Sequence, residues 1–281
     1  MSKAIAAALS AGMSNGVASE PRLSVIVITL NEEACIERCL RSVSFADEII
    51  VVDSGSTDQT CEIARALGAR VIVTDDWLGF GTQKNRALAA ANGTWVLSLD
   101  ADEWVDPALA AEIGATLRDP GDRAGFEIPR RSRFCGRIVH HGSWSPDWVL
   151  RLFRRDCGRF TYSIVHEKVL LDGRTGRLRQ ALEHDCISDL TDAREKITSY
   201  SGAAATELRK KGAERSVRKA FWRSLWTYFH CYVIKLGLLD GSVGLLVAAY
   251  SASQTYRKWS DAPTLSAKAP VRRVPVPSKS R

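Results

Sequence analysis

The feature that most constrains the fold is a pattern repeated through the first hundred residues: short apolar, β-branched runs that end abruptly in polar groups and lead into segments of helical spacing. The runs are residues 23–30 (LSVIVITL), Glu48–Asp53 (EIIVVD), 70–74 and 94–100. A run that is apolar without alternation is buried on both faces, as in a parallel sheet covered by helices. Between the runs, Ile36, Cys39, Leu40 and Val43, then residues 60–67, then 82–91, carry helical spacing, and Ser54-Gly-Ser-Thr-Asp58 supplies a loop and a helix start. Strands alternating with helices imply right-handed crossovers. The expected fold is α/β and Rossmann-like, with a mostly parallel central sheet flanked by helices.

In such sheets ligands sit beyond the carboxyl ends of the strands. The residues found there are Asn31, Glu32, Asp53, Asp100 and Asp102. Asp100 and Asp102 are spaced i, i+2, so an extended chain would turn both carboxylates to one side. Two hard oxygen ligands so placed suit a Mg²⁺ or Mn²⁺ ion that also holds substrate phosphates. Taken alone, Asp-x-Asp reads more readily as a solvated strand-to-turn junction than as a metal site. Polar groups that end three separate buried strands are what argue for a site. Familiar phosphate cradles are excluded: there is no Gly-x-x-x-x-Gly-Lys-Ser/Thr loop, and Gly79-Phe80-Gly81 is followed by Lys84 where a dinucleotide fingerprint needs its third glycine. Lys84 and Arg86, on the helix before the last run, either reach phosphates or form an ordinary solvated face.

Ser24-Val-Ile-Val-Ile-Thr-Leu-Asn31-Glu-Glu, Ile50-Val-Val-Asp53-Ser-Gly-Ser-Thr-Asp58 and Leu99-Asp100-Ala-Asp102 resemble, in order and spacing, three successive motifs of the inverting GT-A nucleotide-sugar glycosyltransferases of the family 2 type. The resemblance implies that Asp53 hydrogen-bonds the uracil of a UDP-sugar, that Asn31 and Glu32 line the nucleoside pocket, that Asp100 lies by the ribose, and that Asp102 binds the metal bridging the diphosphate. The later run, His140-His-Gly-Ser-Trp-Ser-Pro-Asp147, Arg151-Leu-Phe and Val165-His-Glu167, is similar to the subgroup that adds glucose to the inner core of bacterial lipopolysaccharide. In that comparison the catalytic base is Glu167, with His166-Glu167 in place of the commoner Glu-Asp; Asp147 is the rival. The implied acceptor is a lipopolysaccharide core. The same fold acting on a polyprenyl-linked or capsular glycan, and a catalytically silent glycan-binding membrane adaptor, are the alternatives.

Charge is divided unevenly along the 281 residues. The whole chain is at +7, but from Glu207 onward it carries 15 basic and 4 acidic residues, a local +11, so the first 206 residues sum to −4. A mildly acidic body with a basic C-terminal quarter points to an anionic partner for that quarter. Seven cysteines without a Cys-x-x-Cys pair fit reduced thiols better than disulfides or a zinc site. Residues 1–21 lack the basic flank and apolar core of a signal peptide and are read as a flexible leader.

Residues 22–120 thus form the nucleotide-sugar-binding half. Residues 121–189 change character to short strand-like runs dense in arginine (130, 131, 133, 137, 151, 154, 155, 159) among Trp144, Trp148 and Phe153. Arginine with aromatics suits sugar stacking and forked phosphate contacts, hence an acceptor-binding half. No nucleic-acid-binding module is recognisable, so nucleic acid is not an expected partner. Residues 190–260 read as helical. Val217, Phe221, Leu225, Phe229 and Leu236 recur at helical spacing among Arg215, Arg218, Lys219 and Arg223, and a second apolar run follows Asp240-Gly241. Both charge-free stretches are shorter than the roughly 18 residues of a spanning helix. The expectation is an amphipathic pair lying on an anionic membrane surface, peripheral on the cytoplasmic face of the bacterial inner membrane; a helical cap on the enzyme core is the alternative. Residues 261–281 read as a basic disordered tail.

Overall fold

The computed structural model describes residues 22–162, 167–210, 212 and 216–260. The leader, the tail, His166 and Arg215 lie outside them. The elements are β1 (Leu23–Thr29), α1 (Ile36–Ser42), β2 (Glu48–Asp53), α2 (Thr60–Ala66), β3 (Arg70–Val73), α3 (Phe80–Ala90), β4 (Trp95–Asp100), β5 (Glu103–Trp104), α4 (Pro107–Arg118), β6 (Arg123–Phe134), β7 (Arg137–Ile138), β8 (Trp148–Arg154), β9 (Gly158–Phe160), β10 (Val169–Leu171), β11 (Arg174–Arg177), β12 (Leu182–Ile187), α5 (Leu190–Lys210), α6 (Val217–Phe229) and α7 (Ser242–Ser260). The fold is α/β, with a largely parallel central sheet flanked by helices.

The sheet runs β3-β2-β1-β4-β8-β6-β12-β5. Its first four strands are all parallel. Every residue of β1 is buried, as a run without alternation demands. Val25, Val27, Leu97 and Leu99 face one helical layer with Ile36, Leu40, Leu109 and Ile113, while Ile26, Ile28, Ile50 and Val52 face α3 through Ala87 and Leu88. Two cores on opposite faces of one sheet hold the ends of β1, β2 and β4 level. Those ends carry the polar residues.

Beyond β4 the sheet becomes mixed: β8 is antiparallel to both β4 and β6, and β12 runs parallel to β6. The arginine-rich middle of the chain therefore continues the same sheet, which brings its side chains up to the end of β4. The sequence pattern predicts neither the length of β6 nor the existence of β12. Both are broken by charged residues that turn out to be internally paired.

One local expectation differs. β4 ends at Asp100, and Ala101-Asp102 form a turn into β5. The two-residue alternation of a strand does not extend past Asp100, and the two carboxylates take different partners.

Leu97 is fully buried in the middle of this arrangement. Leu97→Ala should lower the stability to urea by about 2–5 kcal/mol with an unchanged dependence on denaturant concentration. A loss below about 1 kcal/mol would show that the sheet centre is not packed as described.

Candidate functional site

The loops after β1 and β2 are built as one unit. Asn31 takes a left-handed conformation at φ 56°, which Asn tolerates better than most residues. The turn lets its amide donate to Ser56 Oγ at 2.7 Å and its side-chain oxygen accept from Thr57 N at 2.8 Å. Glu32 N donates to Thr60 Oγ1 at 2.8 Å. Asp53 is fully buried beneath this loop. Its carboxylate accepts from Gly55 N (3.0 Å), Ser56 N (2.8 Å), Thr29 Oγ1 (2.9 Å) and Ser56 Oγ (2.5 Å). Gln83, also fully buried, donates to Ser54 Oγ and Thr74 Oγ1, tying α3 to the same loop. Arg86 forks onto Asp76 at 2.7 and 2.8 Å, at the surface.

At the end of β4 the charges form an unbroken alternating chain. Lys84 Nζ, 1% exposed, lies 2.6 Å from Glu167 Oε1 and 2.9 Å from Asp100 Oδ1. The other oxygen of Asp100 accepts from Arg151 NH2 at 2.5 Å, and Arg151 reaches Glu103 Oε1 at 2.7 Å. Glu103, fully buried, also meets Arg130 at 3.2 Å, and Arg130 forks onto Asp147 Oδ2 at 2.6 and 2.8 Å. Four acids thus alternate with three cations. The structure brings Glu167, Lys84, Asp100 and Asp147 into one network, with Asp53 outside it. Gly81 makes the Glu167 contact possible, because a Cβ there would overlap the Thr161 carbonyl and lie 3.4 Å from Glu167 Cβ.

The network sets the charge states. Burial alone would raise the Asp100 carboxyl, but Arg151 and Lys84 override it and hold it well below its usual range. Burial would likewise weaken the Arg151 guanidinium, yet Asp100 and Glu103 raise its affinity for the proton.

Asp102 stands apart from this chain. Its Oδ2 lies 3.7 Å from His184 Nε2 on β12, and His184 Nδ1 is 2.9 Å from the Ser132 hydroxyl. Burial would raise the Asp102 carboxyl, but His184 and then Lys196 bring it below its ordinary value. In the tautomer whose Nδ1–H donates to Ser132, Nε2 would be open to a cation lying beside the carboxylate. The carboxylate suits either hard ion, Mg²⁺ or Mn²⁺, and the imidazole nitrogen favours the softer Mn²⁺ of the two. Among the described residues no group of three His, Cys, Asp or Glu side chains is gathered for a metal, so phosphate oxygens and water would complete the shell, as Mg²⁺ commonly requires. Both oxygens of Asp100 already face cations. His184 and Gln83 go unmarked in the sequence because each lies in a stretch without a motif, whereas Glu103 and Arg151 stand beside or within the motifs and only their pairing with each other is hidden. The one available signal was that charged residues interrupt otherwise strand-like runs.

Two results are expected from this electrostatic arrangement. Glu103→Ala leaves Arg151 with Asp100 alone and Arg130 with Asp147 alone, and should cost about 1–3 kcal/mol of stability. Asp100 has a folded pKa below its unfolded one, so its contribution is complete above the unfolded value of about 3.9 and disappears as pH falls through the lower folded value. Thermal melts of wild type should therefore lose stability steeply only below about pH 4, and an Asp100→Asn variant should show a shallower acid slope. Identical slopes would mean that Asp100 is not held by Lys84 and Arg151.

Comparison with known proteins bears on the same residues. Residues 24–180, more than half of the chain, match the Glycosyl transferase family 2 model. An uncharacterized glycosyltransferase of Rickettsia bellii is 30% identical, over 82% of this chain and 83% of that protein. The lipopolysaccharide core biosynthesis glycosyltransferase LpsC of Rhizobium meliloti is 29% identical, over 84% of this chain and 92% of that protein. A crystal structure of S. aureus TarS residues 1–349 is 20% identical with a TM-score of 0.44, covering 66% of this chain and 65% of that one. The loops after β1 and β2 and the end of β4 all lie inside the matched segment, and on that match the chain belongs to glycosyl transferase family 2.

Proposed function

We propose that the protein transfers a hexose, glucose from UDP-glucose, to a lipopolysaccharide-core acceptor with inversion at the anomeric carbon, working as a peripheral protein on the cytoplasmic face of the bacterial inner membrane. The similarity to LpsC supports the acceptor class. One observation carries the mechanism: a single buried ammonium, that of Lys84, joins Glu167 to the donor-side carboxylate Asp100.

The loops carrying Asn31 and Glu32 flank the nucleoside, and Asp53 acts by fixing the shape of that loop through its four hydrogen bonds. Asp102 and His184 would hold the divalent ion. When bound, that ion offsets the charge developing on the departing diphosphate. Glu167 is the general base: it takes the proton of the acceptor hydroxyl as that oxygen bonds to the anomeric carbon. The bond from that carbon to the diphosphate breaks in the same step, and its electron pair leaves on UDP. Asp147 is separated from Asp100 by three charged groups, against one for Glu167, and is forked by Arg130, which suits it to holding Arg130.

Removing a general base costs about 10²–10⁴-fold in turnover, so Glu167→Gln should fall by that much while UDP affinity changes little, and Asp147→Asn should fall less. Reversal of this order would move the base to Asp147. Asp102→Asn and His184→Ala should each weaken the effect of Mn²⁺ on UDP binding, measured by thermal shift. Unaltered Mn²⁺ dependence in both would remove the metal from this pair.

A further inference from the structure

The helical region presents its apolar side outward. Phe221, Trp222, Leu225, Trp226 and Phe229 of α6 are all exposed, Trp222 and Trp226 by 62% and 61%. The side of α6 that packs on α7 is small and polar. Ala220 is buried there, Ser224 Oγ donates to Ala252 O at 2.8 Å, and Thr227 Oγ1 lies 3.3 Å from Thr255 Oγ1. A water-soluble hairpin buries its large apolar residues between its helices. Helices joined through small and hydroxylated residues, with the bulky ones outside, are packed as helices are in lipid.

The two helices also differ in how they are attached. α7 is fixed to the enzyme body: Val243, Val247 and Tyr250 join Phe134, Val139 and Ile187 in one core, and Phe134, Trp144 and Tyr250 pack mutually with ring centroids 5.7–5.9 Å apart. The turn between α6 and α7 is apolar, with Leu236, Leu238 and Leu239 exposed. Gly244 packs against the Gly237 carbonyl where no Cβ would fit, which closes the turn. The opposite end is basic. Ser216 N donates to Trp259 O there, Arg223 lies 4.3 Å over the Trp259 ring, and Arg218, Lys219 and Arg257 are exposed. From that end the sequence runs on through Lys268, Arg272, Arg273, Lys279 and Arg281.

We propose that the outer face of α6, with the Leu236–Leu238–Leu239 turn, is a docking surface for a bilayer rich in anionic phospholipid, and that α7 is the strut that transmits the docking to the sheet. Aromatic and leucine side chains enter the boundary between headgroups and acyl chains, while the arginines and lysines meet lipid phosphates. No described helix is long and apolar enough to cross a membrane, so the surface lies on the bilayer rather than through it. The inference deepens the reading above, which supplies its purpose, a lipid-linked acceptor. Its geometry does not depend on which sugar is moved.

The test is sedimentation of the full chain with vesicles of phosphatidylcholine alone and of phosphatidylcholine with phosphatidylglycerol at 3:1. The wild type should bind the anionic vesicles and be partly released by salt. Trp222→Ser/Trp226→Ser should bind them roughly tenfold or more weakly. Arg218→Gln/Arg223→Gln should bind the anionic vesicles no better than the phosphatidylcholine ones, and both variants should keep the thermal shift given by UDP. Wild-type binding by the double tryptophan variant overturns the proposal. So does a wild type that ignores both vesicle types, including one that forms a dimer in solution which the tryptophan changes disperse, since the occupant would then be a second copy. Vesicle binding without transfer to a lipid-linked acceptor sustains the docking surface and sinks the acceptor reading instead.

Discussion

The ammonium of Lys84 is the constraint on which the site depends. An isolated charge at that depth is too costly to keep, so the group must be paired or lose its proton. It is paired twice, with Asp100 at the end of β4 and with Glu167 from the second half of the chain. Asp100 needs Arg151 as well, Arg151 needs Glu103, and Glu103 draws in Arg130 and through it Asp147. Each charge is tolerable because the next is present. The sheet has to bring β4, β6, β8 and the segment around Glu167 to one place for the chain of charges to close.

The same kind of pairing engages several arginines of residues 121–189 with acids of the chain itself. Arg131 and Arg133 both pair with Glu183, Arg177 pairs with Glu127, and Arg174 with Asp122. From composition alone these residues suit sugar and phosphate contacts. In the folded chain their partners are acids distant in sequence, and the paired guanidinia stiffen the strands that carry Glu103 and His184.

The first four strands are legible in the sequence because their signals are local. A strand buried on both faces must be continuously apolar, and the residue at its carboxyl end stands out for that reason; Asp53 and Asp100 were found in this way. The rest was hidden for an equally physical reason. His184 matters only because β12 lies parallel to β6, with His184 opposite Ser132, and no periodicity announces a strand reading Leu-Glu-His-Asp-Cys-Ile. Lys84 was noticed, but its partner Glu167 is separated from it by 83 positions, beyond the reach of any spacing argument. The helical hairpin shows a third limit. Helical periodicity locates the apolar stripe of α6 correctly, but whether that stripe faces the core depends on what α7 offers, and α7 offers Ala252 and Thr255.

The most direct test of the account is a double-mutant cycle on stability between two residues that need not touch, Asp100→Asn and Glu167→Gln. Either single change leaves Lys84 one carboxylate; together they leave a buried ammonium with none. The account predicts that the double variant is less stable than the sum of the singles by an interaction energy of about 0.5–3 kcal/mol, carried through Lys84. Additivity within about 0.3 kcal/mol would contradict it, because the two carboxylates would then not share the buried charge.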